Sequence, residues 1–286
     1  MSLPKLNNDI CSIISKYLHN SKYQLLDWLD KSKIDWNSLS NNENAIELLT
    51  NNQEYINWGL LSLNPNAIEL LRNNINKIHW SIISTNPGAI ELLKENPDKI
   101  NWIMISENSN AINIISENLD KINKCLLSKN PNALFILKNY YYEIEWYLLC
   151  YNCTDIIFLK KNFDKIVWET LSYNKYAIEL LYENQDKINW SNLSSNVNAI
   201  SLLKKNQHKI DWKILSTNPG AYELLKNNIN KIDWFALQSN ENLQILELLK
   251  ENPDKIDWTK LSNNKTIFQL KNNNKLIDNV IVSLLT

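Results

Sequence analysis

The chain has 286 residues, of which 44% are hydrophobic and 21% are charged, so it can build a packed core and is not intrinsically disordered. Thirty basic residues against thirty-one acidic ones leave a net charge of −1, which excludes a global field that would draw the chain to nucleic acid or to an anionic membrane. About one residue in six is Asn, and three Gly stand beside eleven Trp, a usage that is unusual for a globular enzyme.

The first 35 residues show no targeting signal and a weak version of the pattern that follows them. The start, MSLPKLNNDI, lacks the basic-then-apolar order of a signal peptide, and no apolar run in the chain approaches the roughly 18 residues of a membrane helix. We therefore expect a cytoplasmic protein that does not enter a membrane. Two apolar-periodic stretches, around residues 10–18 and 23–29, predict a degenerate repeat over residues 1–35 that caps the N-terminal end.

Tryptophan recurs every 22 residues from residue 36 onward. Lys124 stands where one Trp is expected, and two inserted residues near 242–244 lengthen the last step to 24. With Trp as position 0, the common text is W-x-x-L-S-x-N-P-x-A-I-x-L-L-x-x-N-x-x-K-I-x, and position 6 is Asn in every unit. This period predicts eleven tandem repeats over residues 36–275. Units 1 to 11 begin at Trp36, Trp58, Trp80, Trp102, Lys124, Trp146, Trp168, Trp190, Trp212, Trp234 and Trp258.

Each unit carries the pattern of two short helices. Apolar positions 9, 10, 12 and 13 share one helical face, and positions 20, 0 and 3 follow the same spacing. Asn-Pro pairs at positions 6–7 and 16–17, as in Asn86-Pro87 and Asn96-Pro97, predict helix starts, because Asn is a good N-cap and Pro suits the first helical residue. We expect helices of about nine to eleven residues, which are marginal alone in water and must be stabilised by stacking.

The predicted fold is all-α: an elongated α-solenoid of tandem 22-residue helix-turn-helix repeats with terminal capping helices. A stripe of apolar residues between Leu276 and Leu285 predicts the C-terminal capping helix over residues 276–286. Inside the solenoid we expect Leu or Ile at position 3 and Trp at position 0 to form the structural core. These tryptophans are Trp58, Trp80, Trp102, Trp146, Trp168, Trp190, Trp212 and Trp234.

Units 4 to 7 depart from the common text through a concentration of aromatic residues. Tyr151 and Tyr173 occupy position 5 of adjacent units, a position that is mostly polar elsewhere and is therefore predicted to be exposed. Neighbouring exposed tyrosines are typical of protein-binding surfaces. The alternative is that the aromatic residues repack around Lys124. The candidate partner-binding residues are Tyr140, Tyr141, Tyr142, Tyr147, Tyr151 and Tyr173.

A Lys recurs at position 19 and offers an alternative site, a ladder that could follow a phosphate backbone. Acidic residues recur at positions 18 and 11, so we expect the ladder to be compensated, which makes nucleic acid an unfavoured partner. The ladder consists of Lys77, Lys99, Lys121, Lys165, Lys187, Lys209, Lys231 and Lys255.

The sequence shows no constellation for catalysis, a metal or a cofactor, so we expect no enzyme. Cys150 and Cys153 form a C-x-x-C pair, but zinc needs a second ligand pair and a redox pair needs a βαβ context, which favours drifted repeat positions. His19, His79 and His208 occupy different repeat positions. Two of the three Gly belong to the repeat's own turn, so the chain offers no phosphate loop.

The unit N-P-x-A-I-x-L-L-x-x-N-x-x-K-I-x-W-x-x-L-S, as in residues 86–106, resembles tandem-repeat proteins of unknown function from giant DNA viruses, over nearly the whole chain. The resemblance implies a viral protein in the host cytoplasm or in the virion, and it brings no catalytic residues. The pattern as a whole favours a non-enzymatic protein-protein interaction scaffold or adaptor. Two alternatives stay open: a nucleic-acid or phosphorylated-partner binder that uses the Lys ladder, and a structural or virion component that self-associates through uncapped ends or through the tyrosines.

Overall fold

The repeats fold into short helices at the predicted period. The computed structural model describes residues 23–270. The first helix of each unit begins at position 0; these helices are Trp36–Leu39, Trp58–Leu61, Trp80–Ile83, Trp102–Ile105, Lys124–Leu127, Trp146–Asn152, Trp168–Leu171, Trp190–Leu193, Trp212–Ser216, Trp234–Leu237 and Trp258–Ser262. The second helices begin at or next to position 10; they are Ile46–Thr50, Ile68–Arg72, Ile90–Glu95, Ile112–Ser116, Leu134–Leu137, Ile156–Lys161, Ile178–Glu183, Ile200–Lys205, Tyr222–Lys226 and Ile245–Glu251. An all-α tandem-repeat solenoid is therefore confirmed.

Short 3-10 helices and one strand pair complete the described chain. The strands are Tyr23–Leu25 and Phe268–Leu270. The 3-10 helices are Lys31–Lys33, Gln53–Tyr55, Ile75–Lys77, Pro87–Ala89, Pro97–Lys99, Lys138–Glu143, Phe163–Lys165, Gln185–Lys187, Gln207–Lys209, Pro219–Ala221, Ile229–Lys231, Pro253–Lys255 and Lys265–Ile267. The predicted length of nine to eleven residues is wrong, because position 20 is extended backbone that separates the 3-10 helix from the next first helix. At Ile78, for example, φ is −71° and ψ is 132°.

Some of the helix caps lie at positions other than those predicted. The first helix is capped by Asn or Asp at position 21 in most units: the Asn57 side chain accepts the N–H of Leu60, and Asp233 accepts that of Ala236. Asn at position 16 does precede a helix, since the 3-10 helix Pro97–Lys99 follows Asn96, but its side chain does not cap that helix. The Asn96 amide donates instead to the carbonyl of Leu92 in the preceding helix. At position 6 the prediction holds for Asn86, whose side chain caps the turn Pro87–Ala89.

Asn at position 6 also joins each unit to the unit before it. The Asn86 amide donates to the carbonyls of Ser62 and Asn64, at 2.9 and 3.1 Å, while its Oδ1 accepts the N–H of Gly88 at 2.8 Å. Ten of the eleven units repeat this pair of donations to the preceding unit, and Asn152 is the exception. Because these amides are buried, the bonds are shielded from water and fix the register of the stack.

The core consists of aliphatic side chains rather than of tryptophan. Positions 3, 9 and 13, such as Leu61, Ala67 and Leu71, are fully buried. The Trp side chains are only half-buried and pack along the edge of this core, which corrects the prediction that they form it. A half-buried Trp keeps one ring face free for a cation. The tryptophans to which this correction applies are Trp58, Trp80, Trp102, Trp146, Trp168, Trp190, Trp212 and Trp234.

The stack closes on itself. The Asn42 amide in unit 1 donates to the carbonyls of Ser262 and Asn264 in unit 11, both at 3.0 Å. The Asp35 N–H donates to Ser262 Oγ at 2.9 Å, the bond that every unit makes between positions 21 and 4. Unit 11 therefore contacts unit 1 as any unit contacts its neighbour, and the repeats form a closed ring. The prediction that the solenoid is elongated is therefore wrong.

The N-terminal segment completes the last unit instead of capping an end. Residues 23–25 pair antiparallel with residues 268–270, with Gln24 opposite Gln269. Lys33 then takes position 19 of unit 11, where its Nζ lies 5.5 Å from the centre of the Trp258 ring. Unit 11 thus combines residues 258–270 with residues 23–35, which corrects the predicted cap over 1–35 for its described part. The rest of that cap and the predicted helix over 276–286 lie outside the described residues.

Replacing Asn42 should destabilise the protein as much as the same change at an interior joint. Asn42→Ala leaves two carbonyls of unit 11 without their donor, and Asn196→Ala does the same to two carbonyls of unit 7. We expect each variant to lose about 2–4 kcal/mol of unfolding free energy, because a buried polar group without a partner costs about 1–3 kcal/mol. Urea denaturation monitored by circular dichroism measures the unfolding free energy of both variants. A loss at Asn196 with none at Asn42 would show that the ring is open in solution.

Candidate binding site

The side chains at positions 1, 2 and 5 of the first helices form one surface, called here the first-helix face. Position 1 carries ten residue types in eleven units, whereas position 3, two residues later, is always Leu or Ile. The position-1 residues are Asn37, Gly59, Ser81, Ile103, Cys125, Tyr147, Glu169, Ser191, Lys213, Phe235 and Thr259. The framework of the repeat is therefore constant, while this face differs from unit to unit.

The first-helix face is continuous and concave. Side chains at position 5 of neighbouring units contact each other: Lys129 Nζ lies 2.6 Å from Glu107 Oε2, and the Tyr151 and Tyr173 ring centres are 5.6 Å apart. An open cavity of about 600 Å³ crosses the joint of the ring and reaches from Phe235 in unit 10 to Leu60 in unit 2. A cavity shared by four successive units is the arrangement expected on the inner side of a curve, and we infer that this face points into the ring.

The structure places three of the six candidate tyrosines on the first-helix face. Tyr147 and Tyr151 lie one helical turn apart on the first helix of unit 6, and Tyr173 extends beside them from unit 7. Tyr147 and Tyr151 are half exposed, and Tyr173 is partly buried. At position 5 the side chain is therefore exposed in Tyr151 and only partly exposed in Tyr173.

Tyr173 stands in an electrostatically negative surrounding. Burial raises the pKa of its phenol first, and the neighbouring groups Tyr147, Tyr151, Glu169 and Asp211 raise it further, because each disfavours a second negative charge. Glu169 precedes Tyr173 by one helical turn at position 1. Its carboxylate makes no hydrogen bond or ion pair within residues 23–270, whereas Asp211 is bonded to the Ser191 hydroxyl at 2.7 Å.

The other three tyrosines lie elsewhere, in the 3-10 segment that ends unit 5. Tyr141 contacts the Trp146 ring edge-on at 5.8 Å, and its hydroxyl donates to Asn162 Oδ1 at 2.8 Å. Tyr142 is fully exposed. None of the ring contacts among the described residues links this group to Tyr147, Tyr151 or Tyr173, so the six tyrosines do not form one site.

Lys124 is accommodated by an exchange of partners within unit 5. Its Nζ lies 3.3 Å from Glu143 Oε1 and 4.2 Å from the centre of the Tyr140 ring. Glu143 occupies position 19, which holds Lys in most units, so the usual Trp–Lys pair has become a Lys–Glu pair. Repacking around Lys124 therefore explains Tyr140 and Glu143, and it leaves Tyr147, Tyr151 and Tyr173 without that explanation.

Every Lys of the predicted ladder already has a partner in the same unit. Five of them stand over the Trp of their own unit, with Nζ to ring-centre distances of 4.4–4.9 Å: Lys77, Lys121, Lys187, Lys209 and Lys231. The other three pair with the preceding Asp at 2.9–3.4 Å: Lys99, Lys165 and Lys255. The ladder is therefore a set of internal contacts that also covers a ring face of five tryptophans.

Unit 6 is irregular next to the tyrosines. Its first helix extends to Asn152, and Cys153 is buried at position 7. The Asn152 amide donates to the Lys129 carbonyl, and its Oδ1 has no partner. Burial raises the pKa of the Cys150 thiol, and it raises the pKa of Cys153 to about 11, so neither forms a reactive thiolate near neutral pH.

Sequence reasoning missed Glu169 as part of this surface. The available signal was the four-residue spacing between positions 1 and 5, which places Glu169 beside Tyr173 as it places Tyr147 beside Tyr151. Within residues 23–270, no three His, Cys, Asp or Glu side chains come together in a way that could hold a metal ion. No helix of this part of the chain combines the length and apolar character needed to cross a membrane.

Comparisons of the chain with protein-family models, with curated proteins and with solved structures find no match.

The buried thiols should resist alkylation while the exposed one reacts. In a short pulse of iodoacetamide at pH 8, we expect Cys125 to be modified and Cys150 and Cys153 to be protected until urea unfolds the chain, as peptide mass spectrometry will show. The folded pKa of Cys153 lies above the value of about 8.5 for a free thiol. The stability that this thiol contributes is therefore fully present below about pH 8.5 and is lost as the pH rises towards 11. Equal labelling of Cys125, Cys150 and Cys153 in the folded chain would contradict the burial of Cys150 and Cys153.

Restoring the common pair in unit 5 should rescue stability that each single change removes. Lys124→Trp leaves Glu143 without its cation, and Glu143→Lys places two cations side by side. The double variant recreates the Trp–Lys contact of other units. We expect a coupling of about 1 kcal/mol between the two changes, the usual size of a cation–π contact at a partly exposed site. Urea midpoints of the four proteins measure it, and additive effects would show that the two positions do not interact.

Proposed function

We propose that this chain is a non-enzymatic protein-binding scaffold and that the first-helix face is its recognition surface. One observation carries the proposal: the residues that differ most from unit to unit collect on a single concave face, while the residues that build the ring stay constant. Recognition by a repeat protein needs such a division, because the framework must tolerate any change at the contacting positions.

The chemistry of the face favours a protein as the partner. Ile103, Tyr147 and Phe235 remain 50–56% exposed at position 1. Exposed aromatic and aliphatic side chains on a concave surface are typical of protein-binding sites. Phosphate recognition would need uncompensated cations, and the Lys ladder is engaged with Trp rings and Asp carboxylates. This weighs against nucleic acid or a phosphorylated partner.

Self-association through uncapped ends loses its basis in a closed ring, since units 1 and 11 contact each other. A homo-oligomer that forms through the first-helix face remains an alternative to a different partner. A viral origin, with action in the host cytoplasm or in the virion, belongs to the same proposal. Its support is the repeat text together with the excess of Asn, Lys and Ile, which A/T-rich codons encode.

Selection of binding peptides tests the proposal directly. A displayed library of random twelve-residue peptides is panned against the full chain, and the selected peptides are measured against two variants. The first carries Ile103→Ser, Tyr147→Ser, Tyr151→Ser and Phe235→Ser. We expect it to bind at least tenfold more weakly, because it loses four exposed apolar contacts of the first-helix face.

The second variant is a matched control with equal apolar loss away from this face. It carries Phe135→Ser, Tyr142→Ser, Ile157→Ser and Tyr182→Ser, all of them exposed side chains at positions 11, 14 and 18. It should bind the selected peptides as the unaltered chain does, and sedimentation of the free chain reports whether it is already a homo-oligomer. Peptides that tolerate the first variant and fail with the second would contradict the proposal.

A further inference from the structure

Exposed aromatic rings in this chain are commonly covered by its own lysines. Lys77 lies over Trp58 at 4.4 Å, and Lys260 lies over Phe235 at 4.0 Å. Among the described residues, no Lys or Arg stands over the rings of Tyr147, Tyr151 or Tyr173. The faces of these three rings therefore have no cation of the chain over them, unlike thirteen other described rings.

Four side chains come together at this point, and we call them the tyrosine–glutamate cluster: Tyr147, Tyr151, Glu169 and Tyr173. Two neighbouring first helices each contribute position 1 and position 5, so the four side chains mark the corners of a small plate on the first-helix face. The Tyr151 and Tyr173 rings are tilted by 48° at 5.6 Å. Glu169 is exposed at the edge of the plate, and its carboxylate is unpaired within residues 23–270.

We propose that the tyrosine–glutamate cluster binds an arginine side chain of a protein partner. The inference rests on the proposed function and names the chemistry of its central contact. A guanidinium group stacks on aromatic faces and at the same time donates two parallel hydrogen bonds to a carboxylate. Two tyrosine faces and one free carboxylate, side by side on a concave surface, match both of these demands.

The charges around the cluster favour a cation over an anion. Asp211 adds a second carboxylate from unit 8, close enough to act on Tyr173. Two lysines of neighbouring positions are engaged elsewhere: Lys129 is paired with Glu107 at 2.6 Å, and Lys175 lies over the Tyr176 ring at 5.2 Å. Lys175 lines the depression that Tyr151 and Tyr173 share, whereas Glu169 does not, so the guanidinium would enter from the side of Glu169.

Binding of charged peptides to the full chain tests the inference. The probes are fluorescently labelled hexa-arginine, hexa-lysine and hexa-glutamate, measured by fluorescence anisotropy. We expect hexa-arginine to bind best and hexa-glutamate not to bind. Glu169→Gln and Tyr151→Leu should each weaken hexa-arginine binding by roughly five- to tenfold, and Tyr151→Phe should keep it within about twofold, because the ring face is retained.

Glu179→Gln and Tyr142→Leu serve as matched controls, since both alter exposed side chains outside the cluster. Helical circular dichroism confirms that all variants fold. Equal weakening by Glu169→Gln and Glu179→Gln, or stronger binding of hexa-glutamate, would overturn the inference. Selected peptides that need the first-helix face but lack arginine and tolerate Glu169→Gln would overturn it too, while leaving the scaffold proposal intact. In the opposite case, hexa-arginine binding depends on Glu169, but no selected library peptide depends on the first-helix face. This result would contradict the scaffold proposal and support the arginine site.

Discussion

A buried Asn amide in ten of the eleven units holds the ring together. Asn at position 6 accepts a backbone N–H of its own turn and donates to two carbonyls of the preceding unit. Asp has no donor for the carbonyls, Gln is longer by one methylene, and Ser cannot donate twice. Since helices of four to seven residues are unstable alone, these bridges and the Leu contacts between units supply the stability that helix length does not. The abundance of Asn at this position therefore has a structural reason in addition to codon bias.

The period of 22 residues was sufficient to predict the repeat, its two helices and the burial of Leu or Ile at position 3, because the same residue types return in phase. It did not reveal that Trp lies at the edge of the core. Closure could not be predicted in this way. Whether the ends of a repeat array meet depends on a small rotation between neighbours, which is set by packing and leaves no separate mark in the repeat text. One trace was present: Lys33, Ile34 and Asp35 have the identities of positions 19 to 21, and these positions complete unit 11 in the structure.

The regular stacking of equal positions also explains which part of the proposed binding surface was predictable. Equal positions of adjacent units lie side by side in any regular stack, so Tyr151 and Tyr173 were correctly expected to be neighbours. Tyr140 to Tyr142 lie at positions 16 to 18, in a 3-10 segment outside the first helix, and their closeness in sequence to Tyr147 did not translate into a shared surface. Glu169 escaped notice because a single acidic residue at a variable position gives no signal until the helical phase is known.

Closure also decides how the first-helix face can act in binding. An open solenoid can bend and twist, so the separation between distant units varies, whereas a ring fixes every unit relative to every other. The tyrosine–glutamate cluster in units 6 and 7 and the cavity around Phe235 at the joint are therefore held at one distance across the ring. A partner that contacts both meets a surface that is already organised, and the entropic cost of ordering the scaffold is not subtracted from the affinity. A single weak contact, such as one arginine on two tyrosines, can then contribute most of its intrinsic strength.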